Sequence, residues 1–126
     1  MEGRTVTIPY PIEMADSFFK RFKGLMFRKD PIMNEGLWIV PCNAAHMFFM
    51  KFPLDIVLLN ERNEVVELHH SLQPWKMTKP VKKAHSTLEL PAGSAEKLGI
   101  RIGSILQIKS KSKTKLGSVG EIEKEF

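Results

Sequence analysis

The chain has 126 residues, 43% of them apolar and 26% charged, which specifies one globular domain and excludes global disorder or two ordinary domains. Its formal charge of +5 and pI near 9.4 are mildly basic. No apolar run reaches the roughly 18 residues a membrane-spanning helix needs, so no membrane span is expected.

Arg4–Ile8 alternates, with Val6 and Ile8 on one face and Thr5 and Thr7 on the other, and predicts a short strand that Pro9 and Pro11 terminate. A helix is expected to begin at Asp16 or Ser17, either of which can cap a free N–H of its first turn. On a helical wheel Phe18, Phe19, Phe22, Leu25 and Met26 fall in one apolar sector, with Lys20, Arg21 and Lys23 outside it. This first basic cluster then reads as the solvated side of an amphipathic helix. Asp30-Pro31 and Asn34-Glu35-Gly36 are turn material, and Gly36–Val40 reads as a buried strand ending at Pro41. Ala44–Met50 is apolar except for His46, and too short and aromatic to specify a helix.

LDIVLLN, residues 54–60, is the clearest buried strand, rich in branched side chains. Glu61-Arg62-Asn63 is expected to turn it back into Glu64–His69, since Asn tolerates the left-handed conformation that a three-residue hairpin requires. A loop with Pro74 and Pro80 follows, and His85–Leu90 is another strand. Ser94 is the expected N-cap of a short helix and Gly99 its left-handed terminus. Gly103-Ser104 turns the chain into a last strand, Ile105–Lys109.

About seven short strands and two short helices predict an α+β fold: a compact β-rich domain with a strongly curved or barrel-like, mostly antiparallel sheet. Residues 1–109 form the single domain; residues 110–126, with four lysines and three glutamates, form a flexible charged tail. Cys42 is the only cysteine, so an intramolecular disulfide and a Cys₄ zinc site are excluded. Together with the lack of a basic and apolar secretory leader in the first 19 residues, this makes the cytoplasm the expected location.

The segments GLMFR (24–28), CNAAHMFFMKFPLDIVLLN (42–60), QPWK (73–76) and AHSTLELPAGSAEKLGIRIGSIL (84–106) resemble the family known as domain of unknown function 192, over about residues 4–109. The resemblance implies a small β-rich α+β fold found widely in prokaryotes. It implies no established enzymatic activity, cofactor or catalytic residues.

Read from the residues themselves, Cys42, His46 and Asp55 could supply a nucleophile, a base and an orienting acid. An extended 42–46 segment would hold the thiol and imidazole about 13 Å apart, whereas a helical turn would bring them to about 6 Å. A mononuclear metal could use Cys42 and His46 with His69, His70 or His85, but one Cys-x₃-His pair is a weak signal, and no cofactor is expected. Asp55 lies inside an apolar strand, where a buried carboxylate costs several kcal/mol unless it is hydrogen-bonded. It is expected to act as a polar staple of the 46–55 turn, with His46, Lys51, Arg28 or amides near Pro53 as partners; the functional alternative is a pocket lined by Trp38, Cys42, His46 and Asp55. Trp38, Met47, Phe48, Phe49, Met50 and Phe52 could line a ligand groove, but their spacing favours core. Trp75 sits in a loop beside Lys76, Lys79, Lys82 and Lys83, an aromatic amid cations with no acid between Glu67 and Glu89. That combination suits single-stranded nucleic acid, although no recognised nucleic-acid-binding or phosphate-loop motif is present.

The sequence thus points first to a non-catalytic binding or accessory module of unassigned ligand, with a small molecule at the Trp38, Cys42, His46, Asp55 pocket. The alternatives are nucleic-acid binding through the Trp75 loop and an enzyme dependent on Cys42 and His46.

Overall fold

LDIVLL is where the sheet is built. In the computed structural model, which describes residues 4–17 and 25–111, every one of these six residues is buried. The strands are β1 (Thr5–Thr7), β2 (Ile12–Ala15), β3 (Gly36–Ile39), β4 (Leu54–Leu59), β5 (Val65–Leu72), β6 (Ser86–Pro91), β7 (Ile105–Gln107) and the two-residue β8 (Ser110–Lys111). One helix, α1 (Ser94–Leu98), follows β6. Six strands form one sheet in the order β5-β4-β6-β3-β2-β8, and β1 pairs with β7 in a separate parallel pair. The ladders joining β5, β4, β6 and β3 are antiparallel; those of β2 with β3 and β8 are parallel.

Successive residues of β4 point to opposite faces, and both faces are covered. Val57 and Leu59 pack with Ile8, Ile12, Leu88 and Leu106 on one side. Leu54, Ile56 and Leu58 pack with Ile32, Met47, Met50 and Phe52 on the other. Each such aliphatic side chain contributes about 1.5–3 kcal/mol when fully buried. A strand covered on both sides needs a continuous apolar run rather than alternation, which is why this segment reads so plainly.

The hairpin after β4 follows the expected chemistry. Asn63 is left-handed at φ 61°, and its N–H donates to the Asn60 carbonyl at 3.0 Å. The Asn60 side-chain oxygen accepts from the Arg62 and Glu64 amides at 2.8 and 3.0 Å, closing the turn from within.

One detail of the expected architecture is corrected, and a second falls outside the described residues. The sheet is not barrel-like: its ends are β5 and β8, and no ladder among the described residues joins them. Closure needs the end strands to pair, and here the parallel returns into β3 and β8 extend the sheet sideways as an open surface. Among the described residues there is one short helix rather than two. The helix expected from Asp16 or Ser17 falls on residues 18–24, outside the described residues, and Leu25–Phe27 form a turn. Of the expected tail, Ser110–Lys111 pair with Ile12 and Glu13 of β2, and residues 112–126 lie outside the described residues.

Gly36 shows how tightly β3 is inserted. A Cβ there would lie 2.7 Å from Ile12 Cδ1, 2.8 Å from Leu90 Cδ2 and 2.9 Å from the Glu89 carbonyl oxygen. The two methyl groups can rotate away, but the carbonyl belongs to the β6 backbone. Gly36→Ala is therefore expected to destabilise the fold by about 1–3 kcal/mol through overpacking, read as a lowered urea midpoint. An unchanged midpoint would mean that β3 can shift away from β6 at no cost.

Candidate functional site

Asp55 is fully buried, as expected, but it staples different elements. Its Oδ1 accepts the Ser71 N–H and its Oδ2 the Ala95 N–H, both at 2.8 Å. The β4–β5 register shifts between Leu54 and Ile56, and Ser71, at φ 50°, sits in that irregularity. Such a bulge leaves a backbone N–H without a ladder partner. Ala95 stands in the first turn of α1, where N–H groups lack helical partners. The predicted cap, Ser94, is instead the first residue of α1, after Gly93 at φ 93°, and no cap-residue side chain makes a cap bond. Asp55 serves that role from the sheet. Gly99 ends the helix at φ 76°, as expected.

The other residues of the expected Trp38, Cys42, His46, Asp55 pocket make separate contacts. Trp38 lies on β3 and Asp55 on β4, with β6 between them. The Trp38 Nε1–H donates to Ser86 Oγ at 2.9 Å. The Cys42 thiol donates to the Ala44 carbonyl at 2.8 Å. His46 Nδ1 accepts the Phe48 N–H at 3.3 Å, and its ring packs on Phe48. The thiol and Nδ1 thus bond to the backbone and not to each other. Among the described residues, no three His, Cys, Asp or Glu side chains gather as a metal would require, and His69 bonds Glu67.

The Trp75 loop is where exposed aromatic surface collects. Residues 43–47 and 75–81 run side by side: Val81 N–H to Asn43 O at 2.9 Å, Thr78 N–H to Ala45 O at 2.8 Å, Met47 N–H to Lys76 O at 2.6 Å and Trp75 N–H to Met47 O at 2.7 Å. Buried Thr78 accepts the Ala45 N–H on its Oγ1 at 2.9 Å, and Met47 is wholly buried. A third segment joins through the Phe27 N–H, which donates to Phe49 O at 3.0 Å. Each of the three segments presents one large ring: Phe27 is 59% exposed, Phe49 48% and Trp75 59%. The rings touch in a row, Phe27 to Phe49 at 5.0 Å between centroids and Phe49 to Trp75 at 4.9 Å.

All three residues are left-handed, at φ 68°, 63° and 71°. Bulky side chains rarely adopt this conformation, which costs about 1–3 kcal/mol each and collects where function needs it. The contributing segments, 25–29, 46–53 and 73–84, hold seven lysines or arginines and no Asp or Glu. Of these, Arg28 is paired with Glu35 at 2.9 Å, while Lys76, Lys79, Lys82 and Lys83 are exposed. Met77 adds a further exposed apolar side chain, at 63%.

The sequence singled out Trp75 but not Phe27, and it favoured core for Phe49. Met47, Met50 and Phe52 of the same run are indeed buried. Proximity of Phe27 and Phe49 to Trp75 depends on three loops distant in sequence; the local hint was aromatic residues in GLMFR and QPWK, next to cations and turns. A cleft of about 460 Å³ lies elsewhere, lined by Tyr10, Ile32, Phe52, Pro91 and Lys97 among others.

Glu89 is the second residue the sequence did not single out. It lies on β6 between Leu37 of β3 and Ile56 of β4, buried, with its Oε1 unpartnered. Burial raises its carboxyl from 4.5 to about 7. The available signal was an acid in the apolar strand TLELP, which is tolerable on a wet face but not on a covered one.

Among the described residues, an open, mixed, mostly β sheet with a separate parallel pair and one short helix defines the class of fold. The chain belongs to the domain of unknown function 192 family: residues 2–108 match its model, described as Uncharacterized ACR. It is 35% identical to a UPF0127 protein of Pyrococcus furiosus over 111 residues, covering 84% of this chain and 91% of that one. It is 39% identical to a UPF0127 protein of Thermococcus sibiricus over 98 residues, 73% of this chain but only 62% of that longer relative. Among solved structures, a protein of unknown function from Novosphingobium aromaticivorans superimposes with a TM-score of 0.65 at 28% identity, covering 73% of this chain and 70% of that one. A putative transcription regulator from Sinorhizobium meliloti shares the fold, with a TM-score of 0.63 at 24% identity over 73% of this chain and 76% of that one.

Two outcomes test the buried acids. Asp55→Ala strands two N–H donors and is expected to cost about 1–3 kcal/mol, with Asp55→Asn costing less because its amide keeps one acceptor oxygen. Equal denaturation midpoints for wild type and Asp55→Ala would refute the staple. For Glu89 the folded chain holds its proton more tightly than the unfolded chain does. The stability this confers is complete below about pH 4.5 and is lost as the pH rises through about 7. The loss amounts to about 3 kcal/mol at about 1.4 kcal/mol per pH unit. Glu89→Gln should abolish that slope, and parallel pH–stability curves for the two proteins would show that the carboxyl is solvated.

Proposed function

We propose that the protein is a non-catalytic binding or accessory module whose ligand seats on the ledge formed by Phe27, Phe49 and Trp75. One observation carries this reading: three exposed rings that touch in a row all stand on left-handed backbone. A folding core does not need such residues, because exposed rings add little burial and the conformation costs stability. A binding surface gains from them, because backbone hydrogen bonds between the loops hold the rings ready and little ordering remains when a ligand arrives.

The ledge is preferred to a pocket at Trp38, Cys42, His46 and Asp55 because the Trp38 Nε1–H, the Cys42 thiol, His46 Nδ1 and both Asp55 carboxylate oxygens make separate bonds within the fold. Thiol chemistry is disfavoured on the same ground, since the Cys42 thiol donates to a carbonyl rather than to a base. The lone free thiol supports a reducing compartment, and cytoplasmic action is part of the proposal. No helix among the described residues is long and apolar enough to cross a membrane.

Glycine at these positions separates the two roles. Phe49→Gly and Trp75→Gly lose ring contacts but relieve left-handed strain, so each is expected to change stability by less than about 1 kcal/mol. Native mass spectrometry of protein from its own cells should find a co-purifying ligand on the wild type and none on the double variant. A ligand retained by the double variant, or variants that unfold, would defeat the reading.

A further inference from the structure

We infer that the occupant of the ledge is a single-stranded polynucleotide, its bases stacked on the rings and its phosphates met by the lysines of the 73–84 loop. This rests on the ledge being the binding surface, and it names what that surface takes. Three features of the site argue for it together: ring shape, charge and rigidity.

The rings form a row rather than a pocket. Phe49 is flanked by Phe27 at 5.0 Å and Trp75 at 4.9 Å, so the two end rings each have one neighbour within the row and stand 59% exposed. Flat, sequence-tolerant stacking on exposed aromatic faces is how proteins hold unpaired bases. A duplex hides those faces within its own stack, and the ledge is made of loops rather than a helix or ribbon that could enter a groove.

Charge sets the second constraint. Lys76 follows Trp75 directly, with Lys79, Lys82 and Lys83 further along the same loop, and no carboxylate occurs in any of the three segments. Glu35 engages Arg28 at 2.9 Å, and the lysines of the 73–84 loop supply a basic margin that suits phosphates, which need no fixed bidentate partner from lysine. A sugar ligand would also use aromatic faces, but its hydroxyl groups call for carboxylate or amide partners. Gln73 is the only such side chain in the 73–84 loop, and its amide N–H donates to the Ser71 carbonyl.

Rigidity separates a polynucleotide from a lipid surface. Fluid acyl chains accept an apolar side chain in any orientation, so strained, interlocked backbone would bring no advantage there. A base has a fixed plane, and the Phe27, Phe49 and Trp75 rings are held against one another at 5.0 and 4.9 Å on loops joined by backbone hydrogen bonds. Stacking and phosphate pairing are common to RNA and DNA, so both sugars belong in the test.

The experiment is fluorescence anisotropy of the full chain with labelled oligo(U), oligo(dT), the corresponding duplexes, polyglutamate and anionic phosphatidylserine vesicles. Single strands should bind, and Trp75→Gly should weaken them by about fivefold or more. If four phosphates are paired, affinity should fall about 50-fold between about 50 and 200 mM salt, and replacing Lys76, Lys79, Lys82 and Lys83 by Ser should flatten that slope. A stronger grip on oligo(U) than on oligo(dT), or the reverse, identifies the natural strand. Duplex, polyglutamate or vesicle binding equal to that of single strands would overturn the polynucleotide assignment. So would no single-strand binding at low salt; if the ligand found by mass spectrometry still required the rings, the ledge itself would stand. Single-strand binding unaffected by Phe49→Gly and Trp75→Gly would instead overturn the ledge as the site.

Discussion

A single buried carboxyl group on β4 ties the bulge of β5 to the start of α1. Asp55 takes one N–H from Ser71, 16 residues away, and one from Ala95, 40 residues away. Each donor is a by-product of local geometry, one from a strand irregularity and one from a helix start. Left unpaired in the interior, each would cost about 1–3 kcal/mol. Because both oxygens belong to one rigid group, the bulge in β5 and the entry of α1 are fixed relative to each other. A five-residue helix has no independent stability in water, so its place against β6 depends on such tethers and on the burial of Ala95.

The same doubly covered sheet explains why Glu89 is costly. Across the strands its register row runs His69, Ile56, Glu89, Leu37 and Glu13. The half-buried and exposed ends of that row, His69 and Glu13, are polar, while the interior is aliphatic apart from Glu89. Asp55 and Glu89 sit on adjacent strands, yet they differ in a decisive respect. Asp55 has two N–H donors facing it; Glu89 has an oxygen with none. Desolvation is compensated in the first case and is met by holding a proton in the second.

What could be read from sequence was what depends on neighbours in sequence. LDIVLL announces a strand covered on both sides, Asn63 a left-handed turn, and Gly99 a helix end. Each is settled within a few residues. Ser94 misled because a serine before a short helix ordinarily caps it, whereas a carboxyl from another strand had already taken the adjacent amide. The openness of the sheet was hidden for a related reason: strand count is local, but the parallel pairing of β2 with β3 and β8 is a matter of crossovers. The family resemblance, carried by motifs spread from 24 to 106, reached the fold and stopped short of chemistry.

The ledge was least legible of all, since it exists only when three loops are zipped together. Its energetics run opposite to those of Asp55. There, polar groups are paired so that the interior can close; here, apolar rings are left in water on unfavourable backbone. The loops tolerate this because their anchors are sound: Met47 and Thr78 are buried, and the Phe27 and Trp75 amides both donate to carbonyls of the 47–49 segment. The stability lost at the rim is carried by the aliphatic layers beneath it. Selection for stability alone would place Gly or Asn at positions 27, 49 and 75. Three rings there work against the fold's own stability, and the proposed stacking partner is what they would serve.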